Sequence, residues 1–336
     1  MSFVKFEQDE SVVSLETIIQ PAWGDTLDEI SSFYTSSMQD KNYYLNIYNE
    51  NINNNTSASI DFSIQYGNLV GSGSTDINSG VVGYSPTRIS YGQYRTLIYG
   101  DEESNFNFGI NTDSEDIIVL SIARNKFKES IHPTSFNLKL TNESGSLELT
   151  DDSKTTVTTS FIGSNKYHTI VSGSNGVTSD AAVTNPGGNY GFLFPDLGLV
   201  VLNPNALTPS VANGGLTVIT KINTDITNSD PNPNLTQVRN LISSGGSFKL
   251  KSQETISSRI FFTRPKNSHF NYTTNPSIID SNGNILFSSL IDNPQTFITT
   301  VGLYNDDNEL LAVAKLSKPL SKSFVTETLF KVKLNY

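Results

Sequence analysis

Residues 297–320, FITTVGLYNDDNELLAVAKLSKPL, carry the strongest strand signal of the chain. Two apolar runs flank the polar tetrad NDDN at 305–308, whose residue types favour a turn. This pattern predicts that TFITTVGLY pairs antiparallel with ELLAVAKLS. Pro319 is expected to end the second strand, because proline has no backbone N–H to donate. The stretch therefore indicates β structure near the end of the chain.

The last residues, LFKVKLNY at 329–336, form a second alternating segment. Apolar residues and lysines alternate in this segment: Phe330, Lys331, Val332, Lys333 and Leu334. The alternation predicts a strand whose apolar face is buried, with lysines that either guard a sheet edge or dock on an acidic neighbour. These five residues are the candidate assembly contacts. The strand either completes its own domain, which is preferred, or adds to the sheet of a neighbouring subunit.

The composition indicates a mainly β protein. Of the 336 residues, 36% are hydrophobic and only 16% are charged, while 14 Tyr and 19 Phe supply cores and contacts. The remainder is rich in Asn, Ser, Thr and Gly, which suits short strands joined by polar turns. The expected architecture is two β-sandwich-like domains with one short N-terminal helix and long surface loops.

The charge and the apolar runs argue against several classes of partner. A net charge of −11 disfavours nucleic acid, because binding to phosphates requires a basic surface. No apolar run approaches the roughly 20 residues that span a bilayer, and the first residues lack the features of a signal peptide. The absence of cysteine excludes disulfides and thiolate metal sites. We therefore expect a chain made without secretion signals and without a membrane partner.

The N-terminal segment, residues 1–40, contains the one predicted helix. Asp25 can cap it, and apolar residues follow at helical spacing over 26–38. Trp23, just before the cap, is expected to anchor the entry of the helix.

Two β domains are predicted to follow. The first covers 41–155 and includes DIIVLSIAR at 116–124, which is apolar on both faces and is expected to be an interior strand. A polar stretch near 152–165 separates it from the second, 156–336. A long surface loop is predicted at 203–236, where Asn, Pro, Thr and Asp are frequent.

The residues give no motif for catalysis or metal binding. His132, His168 and His269 lie far apart in sequence and are expected to be ordinary surface or turn histidines. GSGST at 71–75 lacks the lysine of a phosphate-binding loop, and DSNGN at 280–284 has its glycine too early for an EF-hand. A carboxylate pair for glycoside hydrolysis leaves no local motif and stays open. We expect no enzyme, with no catalytic, cofactor-binding or metal-binding residue and no cofactor.

Several segments together resemble one family. The most specific is NPQTFITTVGLYNDDNELLAVAKLSKP at 293–319, followed by FNYTTNPS at 270–277. YGQYRTLIYG, IARNKFKESIHP, YGFLFPDLGLVVLNPNAL and the closing LFKVKLNY belong to the same set. Their order and spacing from Tyr43 to Tyr336 resemble virion structural proteins of contractile-tailed bacteriophages, notably marine myoviruses that infect cyanobacteria. The first forty residues match less clearly.

The resemblance implies a non-enzymatic subunit of the virion, made in the host cytoplasm and placed in the tail or baseplate. Its partners would be other phage structural proteins, with several copies in each particle. One alternative is a neck or capsid-surface position. Another is a tail protein that binds carbohydrate on the host surface, for which the loop at 203–236 and exposed tyrosines would suit glycan stacking.

Overall fold

The computed structural model describes residues 10–24, 26–31, 34–35, 44–72, 86–109, 112–143, 145–156, 159–179, 188–207, 232–271, 275–292 and 294–335. Most of the regular structure in these ranges is strand, and the strands form large antiparallel sheets. The predicted mainly β class is therefore confirmed.

The strands in these ranges are β1 (Ser11–Pro21), β2 (Glu29–Ile30), β3 (Tyr34–Thr35), β4 (Tyr44–Tyr48), β5 (Ile60–Asn68), β6 (Asp116–Ile122), β7 (Ser130–Ile131), β8 (Asn137–Asn142), β9 (Gly145–Asp151), β10 (Ser160–Ile162), β11 (Asn165–Ser174), β12 (Val177–Thr178), β13 (Gly191–Phe194), β14 (Leu199–Leu202), β15 (Ser247–Lys249), β16 (Lys251–Thr263), β17 (Thr296–Tyr304), β18 (Leu310–Lys322) and β19 (Phe330–Asn335). The α-helices are α1 (Pro86–Tyr99), α2 (Arg124–Phe127), α3 (Asn232–Ser243) and α4 (Ser288–Asp292). None of the helices in the described part of the chain is long and apolar enough to cross a membrane.

The chain divides into two compact units. We call Ile18–Glu254 the central unit, and Met1–Thr17 with Thr255–Tyr336 the terminal unit. The predicted junction near 152–165 lies inside the central unit, where β9 and β11 pair on either side of it. Residues 41–155 of the first predicted domain and 156–254 of the second therefore contribute strands to the same sheet, because antiparallel partners here come from distant parts of the chain.

The central unit is built on one large sheet. Its strands follow the order β2-β15-β8-β9-β11-β13-β14-β6-β5-β4-β3, with β10 and β12 attached to β11. The end strands β2 and β3 are only a few residues apart in sequence, so the sheet must curl until its two ends approach. The rings of Phe62 on β5 and Phe248 on β15 lie 5.2 Å apart, and Trp23 contacts both. The sheet thus curls around an aromatic centre.

Strand β6 is buried on both faces, as predicted for an interior strand. Ile118 and Leu120 face the inner core, to which the apolar face of α3 also belongs: Leu235, Val238, Leu241 and Ile242. Ile117 and Val119 point the other way, into a second cluster that includes residues of α1. Apolar residues at consecutive positions are needed because both faces of this strand are covered.

Helix α1 has no counterpart among the predicted elements. Its buried residues Tyr91, Tyr94 and Ile98 recur at helical spacing and pack in the second cluster. A glycine on β5 permits the helix to come close, since a Cβ built on Gly67 would lie only 2.9 Å from the backbone nitrogen of Tyr91. The close packing of α1 against β5 therefore depends on Gly67.

The predicted helix over 26–38 is wrong for the described residues of that span, which are not helical and include β2 and β3. Ile30 pairs with Phe248 on β15, and Trp23 Nε1 donates a hydrogen bond to Phe248 O at 2.9 Å. Pairing at the sheet ends overrides the helical pattern of the sequence. The cap residue Asp25 and residues 32–33 and 36–40 lie outside the described residues.

The predicted loop at 203–236 is shorter in the structure at both ends. Pro204–Leu207 form a buried 3₁₀ turn, and α3 begins at Asn232. Residues 208–231 lie outside the described residues.

The terminal unit contains two separate strand groups. The part of β16 from Thr255 onward lies between β1 and β19, and β17 pairs only with β18 among the described strands. The predicted pairing of the two strands around the 305–308 turn is confirmed, with Val301 opposite Ala314 and Leu303 opposite Ala312.

Pro319 does not end the second strand, because β18 continues to Lys322. Between the pairs Thr300–Lys315 and Ile298–Leu320 the register shifts, so that one residue of β17 opposes four of β18. Such an irregularity tolerates a residue without a backbone N–H.

Candidate assembly surface

The predicted assembly contacts lie together on β19, which pairs antiparallel with β16 of the same chain. Val332 is opposite Phe261, and Phe330 is opposite Thr263. Phe330 and Val332 are buried and Leu334 is half-buried, whereas the two lysines between them are exposed. The predicted alternation is confirmed for Phe330 and Val332. The strand completes its own sheet, and these apolar side chains face the protein that carries them.

One of the two lysines forms an ion pair within the terminal unit. Lys333 Nζ donates a hydrogen bond to Glu16 Oε2 at 2.6 Å. Because Glu16 is on β1 and β16 runs between β1 and β19, this contact spans the middle strand. The pair is half exposed, so it contributes less than about 1 kcal/mol. Its main effect is to tie the two outer strands together.

The hairpin β17–β18 has a covered face and a face open to solvent. Leu303 is buried on the covered face. On the other face lie three strongly exposed residues: Leu310 (53%), Leu311 (67%) and Val313 (57%). We call these three together with Tyr304 the hairpin surface. It is an apolar patch on a two-stranded sheet.

Local geometry fixes the shape of the hairpin surface. The register shifts between Leu303 and Tyr304, so that Leu311 is an extra residue of β18. The ring of Tyr304 folds over Gly302, where an added Cβ would lie 2.9 Å from a ring carbon and 3.4 Å from a Leu310 methyl. Gly302 therefore provides the space in which the tyrosine lies flat against the strand.

A buried lysine closes the base of the hairpin. Lys322 is fully buried, and its ammonium donates to Asn267 O at 3.0 Å, to Asn271 Oδ1 at 2.8 Å and to His269 O. These acceptors use all three N–H groups of the side chain. Burial lowers the pKa of Lys322 from its ordinary value. Lys322 thus fixes the 267–271 segment to the end of β18, a role for which the sequence pattern holds no signal.

A polar cleft of about 350 Å³ lies in the central unit, with Lys126 and Lys128 among its lining residues. Both ammonium groups are already paired, Lys126 with Asp61 at 2.7 Å and Lys128 with Glu254 at 2.9 Å. Burial raises the pKa of Asp61, and the adjacent Lys126 counteracts this rise. With their charges balanced, the lysines give the cleft little attraction for an anion.

The histidines lie on separate elements, and one of them is not a surface residue. His168, on β11, is largely covered, and burial lowers its pKa against the opposing effect of Asp151 and Asp152. His132 Nδ1 is 2.9 Å from Gln253 Oε1. In the part of the chain that the structure describes, no three His, Asp or Glu side chains form a group that could hold a metal ion.

Asp280, in the DSNGN segment, accepts hydrogen bonds from residues of its own turn. Its carboxylate takes the backbone N–H groups of Asn282 and Asn284, both at 2.8 Å, and the Asn284 side-chain amide at 3.0 Å. These hydrogen bonds lower the pKa of Asp280. The segment has the geometry of an exposed turn stabilised by its aspartate.

No family model matches the chain, and neither a curated protein nor a solved structure matches it. The resemblance to phage structural proteins therefore stays a prediction. The geometric feature best suited to contact with another protein is the hairpin surface.

Proposed function

We propose that this protein is a structural subunit of a bacteriophage virion, placed in the tail or baseplate. It acts through contacts with other phage structural proteins and performs no catalysis. The sequence resemblance supports the class of particle, and the hairpin surface supports the mode of action. The hairpin surface is the observation that carries the proposal.

The hairpin surface has the character of a protein contact. A two-stranded hairpin is only marginally stable by itself in water, so an exposed apolar face gains by being covered. Exposed apolar patches on soluble proteins mark sites of interaction. Leu311 and Val313 present that character on one face, beside the aromatic ring of Tyr304.

The hairpin carries exposed charges of both signs beside its apolar patch. Asp306, Asp307 and Glu309 are exposed in the turn and just before β18. Lys315 and Lys318 on β18 are exposed near the apolar patch. Charges of both signs around an apolar centre favour a partner that presents complementary charges of both signs around a matching apolar site.

Mass spectrometry and image reconstruction of purified phage particles test the class and the position. We expect the chain in the particle at a fixed copy number, at the tail or baseplate. A position at the neck or on the capsid surface would retain the structural role and correct the location. Absence from the particle would overturn the proposal.

Substitutions test whether the hairpin surface makes the contact. We expect Leu311→Ser with Val313→Ser to abolish incorporation into particles while the melting temperature of the isolated protein changes little, since both residues are exposed. Phe161→Ser, at an exposed position of β10, is the matched control and should incorporate normally. Normal incorporation of the hairpin variant would refute this contact.

Host-surface carbohydrate binding is the second candidate. Exposed rings on the hairpin, Phe297 and Tyr304, are suited to stacking on a sugar ring. A glycan array with the intact protein separates the two functions. Specific binding that is lost in Tyr304→Ala and Phe297→Ala would favour this candidate over the structural one.

A further inference from the structure

The two outer strands of the β1-β16-β19 arrangement differ in how they are protected. Among the described strands, β16 is the only partner of both β1 and β19 in this arrangement, so each has an outer edge. Strand β19 carries Lys331 and Lys333, and lysines at an edge discourage pairing with another chain. Strand β1 carries no lysine between Ser11 and Thr17, and its one charged residue there, Glu16, is bound to Lys333. The edge at β1 is the unguarded one.

The side chains of β1 are apolar and exposed on both faces of the strand. Val13 is 55% exposed and Leu15 72% exposed, and the adjacent Val12 is exposed as well. Because consecutive residues of a strand point to opposite faces, Val12 lies on one face while Val13 and Leu15 lie on the other. The part of β1 from Ser11 to Thr17 contains neither Pro nor Lys, and an edge strand with exposed apolar side chains and without these residues is a template for strand addition.

We propose that β1 pairs antiparallel with β1 of a second copy of this chain, around a two-fold axis at Leu15. An antiparallel pair with a perpendicular two-fold axis places one residue opposite its own copy. With the axis at Leu15, Leu15 faces Leu15, Val13 faces Thr17 and Ser14 faces Glu16. Apolar and β-branched side chains are then opposite one another, and no like charges meet.

The neighbouring registers are less favourable. An axis at Glu16 sets two carboxylates directly opposite each other, which is destabilising. An axis at Ser14 sets Glu16 opposite Val12. The charge pattern of the strand therefore selects the axis at Leu15.

A cysteine scan tests this register directly, since the chain has no cysteine of its own. Opposed residues of an antiparallel pair have Cβ atoms about 4.5–5.5 Å apart, close to what a disulfide requires. We expect Leu15→Cys to form a disulfide-linked dimer rapidly under mild oxidation. In the matched control Val12→Cys, the two thiols lie six residues apart along the pair, about 20 Å at the usual rise, and should stay unlinked. Equal cross-linking of both variants would indicate random collision and overturn the proposal.

The second measurement is the oligomeric state of the isolated, full-length protein by sedimentation. We expect a concentration-dependent dimer, and we expect Leu15→Lys to weaken it at least about tenfold, because two lysines then face each other. Phe161→Lys in β10 adds the same charge elsewhere and should leave the dimer intact. A wild-type protein that is monomeric at every soluble concentration would overturn the proposal. So would a dimer that survives Leu15→Lys or that dissociates in Val313→Lys alone.

This pairing is separate from docking through the hairpin surface and goes beyond the proposed function. It is measured on the purified chain without particles. Its failure would leave incorporation into the virion unaffected, and absence from the virion would leave the dimer unaffected.

Discussion

At the scale of the residue, the hydrogen bonds of Lys322 stabilise the base of the hairpin. A hydrogen bond to a charged group contributes about 1.5–3 kcal/mol, and removing one partner leaves its buried acceptors unsatisfied. We expect Lys322→Met to lower the free energy of unfolding of the terminal unit by about 3 kcal/mol or more. Urea denaturation measures this loss. Lys318→Met, at an exposed position of the same strand, should change stability by less than about 0.5 kcal/mol. If both variants changed the free energy of unfolding equally, the hydrogen bonds of Lys322 to its three acceptors would not stabilise the terminal unit.

His168 provides a second test at this scale, through pH. Burial holds the folded-state pKa of His168 below the ordinary value of 6.5. Between these two pKa values the unfolded chain binds more protons than the folded one, so stability is full above pH 6.5 and falls as the pH drops toward the folded pKa. We expect His168→Gln to flatten this part of the stability profile in thermal melts from neutral to acidic pH. An unchanged slope would show that His168 does not cause this part of the pH dependence.

At the scale of the element, two glycines should respond to alanine in opposite directions. Gly67 on β5 lies under α1, and a Cβ there would be 2.9 Å from the Tyr91 nitrogen. Gly67→Ala should destabilise the central unit by about 1–3 kcal/mol, because the helix must move. Gly92, inside α1, has open space around its Cβ position. Gly92→Ala should stabilise by up to about 1 kcal/mol through helix propensity. Thermal melts measure whether each variant is more or less stable than the wild-type protein. Melting temperatures that shift in the same direction in both variants would contradict this packing.

The elements also differ in whether a sequence pattern can predict them. The strands of the hairpin and β6 are predictable, because alternation and continuous apolar runs follow from which faces are covered. The span 26–38 has a helical pattern. In the structure, however, Ile30 pairs with β15 and Trp23 donates a hydrogen bond to it, and this partner is more than 200 residues away in sequence. Such long-range pairing leaves no local signal. Similarly, the hairpin surface and Lys322 depend on tertiary exposure and burial, which alternation within β18 does not encode.

At the scale of the whole molecule, the division into two units determines which part of the chain a destabilising change affects. Residues 41–155 and 156–254 share one sheet, so the polar stretch near 152–165 joins neighbouring strands and marks no domain boundary. The terminal unit draws on both ends of the chain, a property that no local composition change indicates. We therefore expect changes at the C-terminus to affect the terminal unit first.

Deletion of residues 328–336 tests this expectation together with the pairing of β19. The deletion removes the side chains of Phe330 and Val332 from their buried positions, worth roughly 1.5–3 kcal/mol each. It also removes the backbone ladder with β16. This loss is a large part of the roughly 5–15 kcal/mol that stabilises a domain, so the terminal unit should unfold or melt at a much lower temperature in the isolated protein. Hydrogen exchange should report loss of protection on β16 from Thr255 onward, with β6 and β14 still protected.

Lys331→Ser is the control for the same deletion, because that side chain is exposed and its removal leaves the apolar face intact. It should melt with the wild-type protein. A strand that served only a neighbouring subunit would give the opposite pattern: the truncated chain would keep its melting temperature and its protection on β16, yet fail to enter particles. The pairing of Phe330 and Val332 with Thr263 and Phe261 excludes that pattern for the folded chain, because these contacts form within one molecule. A truncated chain with an unchanged melting temperature would therefore contradict the strand order of the terminal unit itself.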